Sequence, residues 1–124
     1  MVRQQRRDTR PELAVRRLVH ARGLRYRVDA PLPAMRRRAD LLFAGPRVAV
    51  FIDGCFWHGC PQHASWPKRN ARWWASKIAA NVARDEDTDR RLAVAGWRVV
   101  RVWEHEQPDL AADRICAAVT AAQL

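Results

Sequence analysis

The stretch RVAVFID occupies residues 47–53 and follows a Gly45-Pro46 turn. A nearly continuous apolar run of this length is typical of a central strand that is buried on both faces of a sheet. The next segment, residues 54–68, is dense in Gly, Cys, His, Trp and Pro, which predicts an irregular loop. The sequence therefore predicts a buried central strand followed by a loop that carries reactive side chains.

Outward from this strand, the pattern predicts helices and strands on both sides. Thr9 and Glu12 form a capping box for a first helix, which Gly23 ends. The further expected elements are strands at 24–28 and 39–43 around a turn region at 30–33, a helix at 70–95, a strand at 97–103 and a helix from 108 to about 122. This order predicts an α/β domain in which helices pack on a sheet.

The composition favours one folded domain. The chain has 124 residues, of which 48% are hydrophobic and 29% charged. It has no apolar run of about 18 residues and no apolar core near the N-terminus, so we expect neither a membrane span nor a secretory signal. Three cysteines cannot all pair within one chain, which favours the cytoplasm. We expect one domain over residues 1–124, with residues 1–10 as a flexible basic arm.

The charge balance favours a nucleic-acid partner. The net charge is +10, and all but two of the 23 cationic residues are Arg, the exceptions being Lys68 and Lys77. Arg binds phosphate through two parallel hydrogen bonds and stacks on bases. A GC-rich genome would also inflate Arg and Ala, so the charge by itself indicates nucleic-acid binding only moderately and says nothing of catalysis.

Three residues of the loop have the spacing of zinc ligands. Cys55, Cys60 and His63 form a C-x4-C-x2-H pattern, and tetrahedral Zn²⁺ requires one ligand more. The fourth is His105 or Cys116, and we favour His105 because a strand end can lie beside the loop that follows a neighbouring strand. The alternative is that Cys55 and Cys60 are small buried residues.

Asp40 and His58 are candidates for hydrolytic chemistry. Asp40 follows three arginines and precedes apolar strand residues, a setting that suits Mg²⁺ held against phosphate. An exposed aspartate at a strand start is the alternative. His58 lies among the zinc candidates without being needed as a ligand, so it could carry a proton near neutral pH. It could equally be a fourth zinc ligand or a solvent-facing loop histidine.

Four blocks of the sequence resemble the very short patch repair endonucleases. They are DTRPE at 8–12, GCFWH at 54–58, NVARD at 81–85 and GWRVVRVWE at 96–104, and the resemblance covers about residues 5–107. Members of that family are bacterial enzymes that nick DNA 5′ of the T in T:G mismatches left by deamination of 5-methylcytosine. The resemblance implies a restriction-endonuclease-like fold of the PD-(D/E)xK type, with a mixed central sheet flanked by helices and a structural zinc site.

The resemblance also implies roles for individual residues. Asp40 and the backbone carbonyl of Ile52 would bind catalytic Mg²⁺, and His58 would be the catalytic histidine. Asp85 would orient His58, and Glu12 would be a further carboxylate near the site. The implied structural Zn²⁺ ligands are Cys55, Cys60, His63 and His105, and the aromatic residues that wedge into the base stack are Phe56, Trp57 and Trp74.

The chain departs from the family pattern at three places. Asp53, which we keep as a catalytic candidate, stands where a histidine supports the water network of the metal. Ala39 replaces a proline before the metal aspartate. The basic N-terminal arm is shorter than in the family, so we expect weaker DNA binding or reduced activity.

The expected partner is double-stranded DNA with a T:G mismatch, bound by a monomer that could also meet mismatch-repair proteins. No membrane partner is expected. Two alternatives stay open, which are a zinc-stabilised DNA-binding module without catalysis and a nuclease of the same fold with a different DNA target. Asp40 together with His58 favours the nicking enzyme, because a binding module needs neither residue.

Overall fold

The structure is a computed structural model that describes residues 10–33, 35–54 and 70–123. Over these ranges the chain forms three helices and four strands in the predicted order. They are α1 (Arg10–Ala21), β1 (Arg27–Pro31), β2 (Arg38–Phe43), β3 (Val48–Asp53), α2 (Ala71–Val94), β4 (Arg98–Trp103) and α3 (Pro108–Ala122). Thr9, the expected capping residue of the first helix, lies outside the described residues.

The four strands form one mixed sheet in the order β1-β2-β3-β4. The β1–β2 and β2–β3 pairs are antiparallel, whereas β3 and β4 are parallel and are joined through α2. The apolar run at 47–53 forms β3 between two neighbours, and Val48, Ala49 and Val50 are completely buried there. The prediction of a buried central strand is confirmed.

The first strand begins three residues later than predicted. The sequence pattern indicated a strand at 24–28, but β1 pairs with β2 from Arg27↔Leu42 to Pro31↔Arg38 and includes part of the expected turn. Pro31 is tolerated because β1 is the outermost strand of the described sheet, where a missing N–H leaves no ladder bond unmade. Leu24 and Tyr26 pack against the core from the segment before β1, which explains their apolar character.

The two faces of the sheet carry different helices. Alternation along β3 directs Val48 and Val50 to the face covered by α1 and α3, and Ala49 and Phe51 to the face covered by α2. The first face has the larger core, whose buried members include Val15, Val19, Leu41, Phe43, Val102, Ile115 and Val119. On the second face Leu92 is the fully buried contact of α2.

Helix α2 matches the predicted long helix to within one residue at each end. It follows Asn70 and ends before Gly96, whose φ of 84° is a backbone conformation that glycine adopts without steric cost. None of the helices in the described part of the chain is long and apolar enough to cross a membrane.

Candidate active site

Asp40 lies where β2 and β3 cease to pair through their backbones. The paired residues run from Phe43↔Val48 to Leu41↔Val50. Beyond that pair, the N–H of Ile52 donates a hydrogen bond of 2.6 Å to Oδ2 of Asp40. The structure therefore brings together the two residues that the sequence nominated as magnesium ligands.

The carbonyl of Ile52 faces the same side of β3 as Asp40. Successive residues of a strand direct their backbone groups alternately to the two neighbouring strands. The carbonyl of Asp53 accepts a hydrogen bond of 2.9 Å from the N–H of Glu104, so Asp53 faces the β4 side. Ile52 consequently presents its N–H and its carbonyl to the β2 side, where the carboxylate of Asp40 lies.

The pKa of Asp40 is raised from 3.8 to about 7. The largest cause is desolvation, because the half-buried carboxyl group has lost much of its water. The hydrogen bond from Ile52 opposes this effect, while the negative charges of Glu12 and Asp53 add to it. Arg16 lowers the pKa, yet within the described residues Asp40 forms no ion pair. A partly accessible carboxylate in this setting is a favourable place for a cation.

Glu12 approaches this site from α1. Its side chain is buried, and Oε2 accepts a hydrogen bond of 3.1 Å from Nη2 of Arg16, one helical turn later. The same helix therefore supplies a carboxylate close enough to raise the pKa of Asp40 and a cation that neutralises it in part.

Asp53 ends β3 and is paired with Arg101 of β4. Nη1 of Arg101 lies 3.0 and 3.1 Å from the two carboxylate oxygens of Asp53, which is buried. The guanidinium group also stacks on Phe51, 4.2 Å from the ring centroid. Asp53 thus has a fixed cationic partner, which distinguishes it from Asp40.

Asp85 joins the same arginine from α2. Its Oδ1 lies 3.8 Å from Nη2 of Arg101, and its backbone carbonyl accepts a hydrogen bond of 3.4 Å from that nitrogen. Asp89, one turn later, accepts hydrogen bonds of 2.9 and 3.0 Å from Nε of Arg101. Burial opposes the charge of Arg101, but the bonds to Asp89 and the nearby carboxylates outweigh it and raise the arginine's pKa.

Sequence reasoning did not single out Arg101. The available signal was an arginine between Val100 and Val102, inside an otherwise apolar strand. A charged side chain placed there needs partners to remain buried. The sequence shows neither which partners it finds nor that two of them are candidate site residues.

Most of the predicted zinc site lies outside the described residues. That applies to Cys55, Cys60 and His63, and equally to His58, Phe56 and Trp57. Over 10–33, 35–54 and 70–123, no group of three or more His, Cys, Asp or Glu side chains is arranged to hold a metal ion.

His105, the preferred fourth zinc ligand, directly follows β4, and its ring stacks on Trp103 with centroids 6.4 Å apart. Because Asp53 pairs with Trp103 in the parallel register, β3 and β4 end at the same edge of the sheet, and His105 follows at that edge. Cys116 lies within α3, where Nη1 of Arg22 is 3.9 Å from its sulfur.

Trp73 and Trp74 contact each other edge to face near the start of α2, with ring centroids 4.6 Å apart. Trp73 is 57% exposed, whereas Trp74 is half-buried. Trp74 was the predicted DNA contact, and Trp73 offers the larger accessible surface.

The fold is that of a nuclease domain by its similarity to a solved structure. The catalytic domain of the homing endonuclease I-Bth0305I superposes with a TM-score of 0.63, over 93% of this chain and 98% of that one. The sequence identity is 16%, so this likeness concerns the fold alone. It supports the predicted nuclease-type α/β architecture.

Sequence comparison identifies the family. The family model of the DNA mismatch endonuclease Vsr matches residues 1–64. The type II nicking enzyme V.NaeI of Lentzea aerocolonigenes is 46% identical over 105 residues, which are 82% of this chain and 63% of that enzyme. V.XorIIP of Xanthomonas oryzae pv. oryzae is 44% identical, over 85% of this chain and 76% of its own length.

The DNA mismatch endonuclease Vsr of Escherichia coli (strain K12) is 39% identical over 79% of this chain and 62% of the enzyme. The chain thus belongs to the Vsr family of DNA endonucleases. The aligned region spans less than two thirds of the V.NaeI and E. coli proteins.

Proposed function

We propose that this chain is a strand-specific DNA endonuclease that nicks 5′ of the T in T:G mismatches arising from deamination of 5-methylcytosine. The cut would be a Mg²⁺-assisted hydrolysis of one phosphodiester bond. The observation that carries the proposal is the hydrogen bond from the Ile52 N–H to the Asp40 carboxylate, from which strand alternation puts the Ile52 carbonyl on the same side of β3.

The donor set at this strand end suits Mg²⁺. Hard divalent cations prefer oxygen ligands, and the residues that would hold the ion are Asp40 and Ile52. A nearby cation favours the ionised form of a carboxyl group whose pKa is raised to about 7 by desolvation and by neighbouring carboxylates. The ion, when bound, would supply charge stabilisation at the scissile phosphate.

The remaining chemistry would fall to the side chains of this protein. His58 would take the proton from the attacking water, and Asp85 would orient His58 from α2. Glu12 and Asp53 would complete the acidic surroundings of Asp40, and their charges already act on its pKa.

The proposed substrate is double-stranded DNA, to which a chain with a net charge of +10 is attracted at long range. Phe56, Trp57 and Trp74 would wedge beside the mismatched pair, where unstacking costs less than in paired DNA. The enzyme would act as a cytoplasmic monomer, with mismatch-repair proteins as further partners.

The proposed structural Zn²⁺ site consists of Cys55, Cys60, His63 and His105. The parallel pairing of β3 with β4 favours His105 over Cys116, because His105 leaves the sheet at the edge from which the cysteine-bearing loop departs. A metal there would tie that loop to the strand end that carries Asp40's partner, Ile52.

A nuclease of this family with a different DNA target is the second candidate. It is favoured by the relatives named type II nicking enzymes, whose names mention no mismatch. A DNA-binding module without catalysis is disfavoured, because such a module has no use for a carboxylate and a carbonyl gathered at one strand end.

A nicking assay separates these possibilities. Two labelled duplexes of one sequence, one with a T:G mismatch and one fully paired, are incubated with Mg²⁺ and either the native protein or Asp40→Ala. We expect a nick 5′ of the mismatched T that is absent from the paired duplex, from the variant and after chelation of the metal. Equal cleavage of both duplexes would support the second candidate. Binding to the mismatched duplex without a nick would contradict the endonuclease assignment.

His58→Ala tests the proposed proton transfer. The variant should bind the mismatched duplex with native affinity and fail to nick it, because only the transfer to His58 is removed. Loss of zinc and of folding in this variant would instead identify His58 as a zinc ligand.

A further inference from the structure

Two arginine-centred networks tie α2 to the rest of the domain. The Arg101 network joins β3, β4 and α2 and contains Asp53, Asp85 and Asp89. The Arg37 network starts one residue before β2, where Nη1 of Arg37 bonds Asp87 at 2.9 Å and Thr88 at 2.7 Å. The two arginines contact α2 over the same stretch, residues 84–89, but the Arg37 network contains no candidate site residue.

The Arg101 network engages two carboxylates of the proposed active site. Nη1 binds both oxygens of Asp53 at the end of β3, and Nη2 lies 3.8 Å from Oδ1 of Asp85 on α2. Bonds from Nε to both oxygens of Asp89 fix the plane of the guanidinium group. A fork of this kind determines orientation as well as distance, which a lysine ammonium group cannot do.

The three carboxylates around the proposed metal site, those of Glu12, Asp40 and Asp53, also differ in whether an arginine is paired with them. Glu12 is paired with Arg16 and Asp53 with Arg101, whereas Asp40 has no ion pair among the described residues. Without Arg101, the surroundings of Asp40 would carry one positive charge less, and Asp53 would lose the group that binds both of its carboxylate oxygens. The arginine would thereby influence which of the two aspartates is available as a ligand.

We propose that Arg101 is a positioning residue of the nicking reaction, holding Asp53 by both carboxylate oxygens and Asp85 through α2 so that Asp40 is the carboxylate that receives the metal ion. This inference rests on the proposed endonuclease function. Arg101 itself touches neither the ion nor the DNA in this arrangement.

The competing explanation is that Arg101 only docks α2 on the sheet. Arg37 provides the matched control, since it fastens the same helix through an aspartate and a backbone carbonyl, that of Arg84. A purely structural role predicts that equivalent substitutions of the two arginines lower thermal stability and nicking together.

The first test compares Arg101→Lys with Arg37→Lys in single-turnover nicking of the T:G duplex, with saturating DNA and Mg²⁺. Displacement of a site by about 1 Å can cost about 100-fold in rate, so we expect Arg101→Lys to be about 10- to 100-fold slower. Its Kd for DNA should stay within about 2-fold, and Arg37→Lys should nick within about 2-fold of the native rate. A native rate constant in Arg101→Lys, or equal losses in both variants, would overturn the proposal.

The second test measures the coupling between Arg101 and Asp53. If the arginine acts through this aspartate, the rate losses of Arg101→Gln and Asp53→Asn should not multiply in the double variant. We expect the double variant to nick at least about 5-fold faster than the product of the two single effects predicts. Multiplicative effects would show that Arg101 acts independently of Asp53.

The third test needs no nicking activity. Mn²⁺ is titrated into the native protein, Arg101→Gln and Arg37→Gln, and the rise in melting temperature gives the half-saturating concentration. Loss of the positive charge beside Asp53 should lower this concentration about 3- to 10-fold in Arg101→Gln, whereas Arg37→Gln should leave it unchanged. Equal values in the three proteins would contradict the proposed division of charge.

The Mn²⁺ titration tests the role of Arg101 independently of whether the protein is an endonuclease. A native protein that nicks neither duplex would refute the endonuclease function, while the Mn²⁺ shift would still judge the role of Arg101. Should Arg101→Gln not fold, Arg101→Lys replaces it, because it keeps a positive charge among Asp53, Asp85 and Asp89. A single ammonium group cannot engage both oxygens of Asp53 and Asp89 together, so a smaller shift in the same direction is then expected.

Discussion

Asp40 and Asp53 stand near one another at the ends of adjacent strands, yet their surroundings differ in kind. Asp53 is buried and is held through both oxygens by Arg101. Asp40 is half-buried, accepts one backbone hydrogen bond from Ile52 and has a pKa raised to about 7. A carboxylate that is fully paired can stay charged in the interior, whereas an unpaired one remains chemically available. The two aspartates thus differ in pairing, since Asp53 is bound by Arg101 and Asp40 has no ion pair among the described residues.

Replacing Asp40 by Asn should have the largest effect on function. The amide can still accept the hydrogen bond from Ile52, but it carries no charge for a metal ion. We expect the saturated nicking rate to fall by about 1,000-fold or more while DNA binding persists. A single-turnover assay measures this loss, and a rate within about 10-fold of native would remove Asp40 from the proposed metal site.

The same substitution should stabilise the protein at alkaline pH. The folded-state pKa of Asp40 is about 7 against an ordinary 3.8, so the folded state binds the extra proton between these values. Its ionisation therefore lowers the free energy of unfolding as pH rises from about 4 to about 7.

Asp40→Asn should consequently match native stability near pH 4 and exceed it by roughly 2–3 kcal/mol at pH 8, after allowance for solvent screening. Urea unfolding at both pH values, without added divalent metal, measures this difference. A stability gain that is equal at pH 4 and pH 8 would show that ionisation of Asp40 is not its cause.

Asp53→Asn should act on stability in the opposite direction. The neutral amide cannot replace the paired carboxylate, and Arg101 loses a partner inside the protein. We expect a loss of about 1–3 kcal/mol at pH 8, because a buried charge left with fewer partners is costly. Chemical denaturation at pH 8 compares the free energies of unfolding of Asp40→Asn and Asp53→Asn directly. If both variants were more stable than the native protein, pairing with Arg101 would not be what distinguishes the two aspartates.

Asp113 gives the baseline for these comparisons. It lies on α3 and pairs with Arg22 at the surface, with 61% of its side chain exposed. Asp113→Asn should change the free energy of unfolding by less than about 1 kcal/mol and leave nicking at the native rate. Parallel unfolding and nicking measurements test this, and a larger change would mean that charge loss anywhere on the chain perturbs the domain.

Several elements were predictable because their signals are local. The apolar run of β3 and the long interval of α2 between Asn70 and Gly96 are visible along the chain. The start of β1 was misplaced, since pairing with β2 from Arg27 to Pro31 decides it and not the alternation at 24–28. Register is a property of two strands, so one segment does not contain it.

The residues of the candidate site likewise fall into those that the sequence could indicate and one that it could not. Asp40 was nominated by its setting between three arginines and an apolar strand, whereas Glu12 and Asp85 were nominated through the family resemblance. Arg101 escaped notice because its importance arises from contacts with residues that are 12 to 48 positions away in the chain. An isolated arginine in a strand signals only that some partner must exist.

By itself, the sequence determined the α/β character, the buried central strand, the strong positive charge and membership of a DNA endonuclease family. These depend on composition, periodicity and short motifs, which are written residue by residue. Only the tertiary structure decided that Asp53 is paired with Arg101 and that Asp40 has no ion pair within the described part of the chain. That distinction arises because the parallel pairing of β3 with β4 sets Arg101 beside Asp53 and leaves the β2 side of Ile52 to Asp40. Whether a carboxylate is paired with a cation depends on the distances between segments that are far apart in the sequence, and only folding sets those distances.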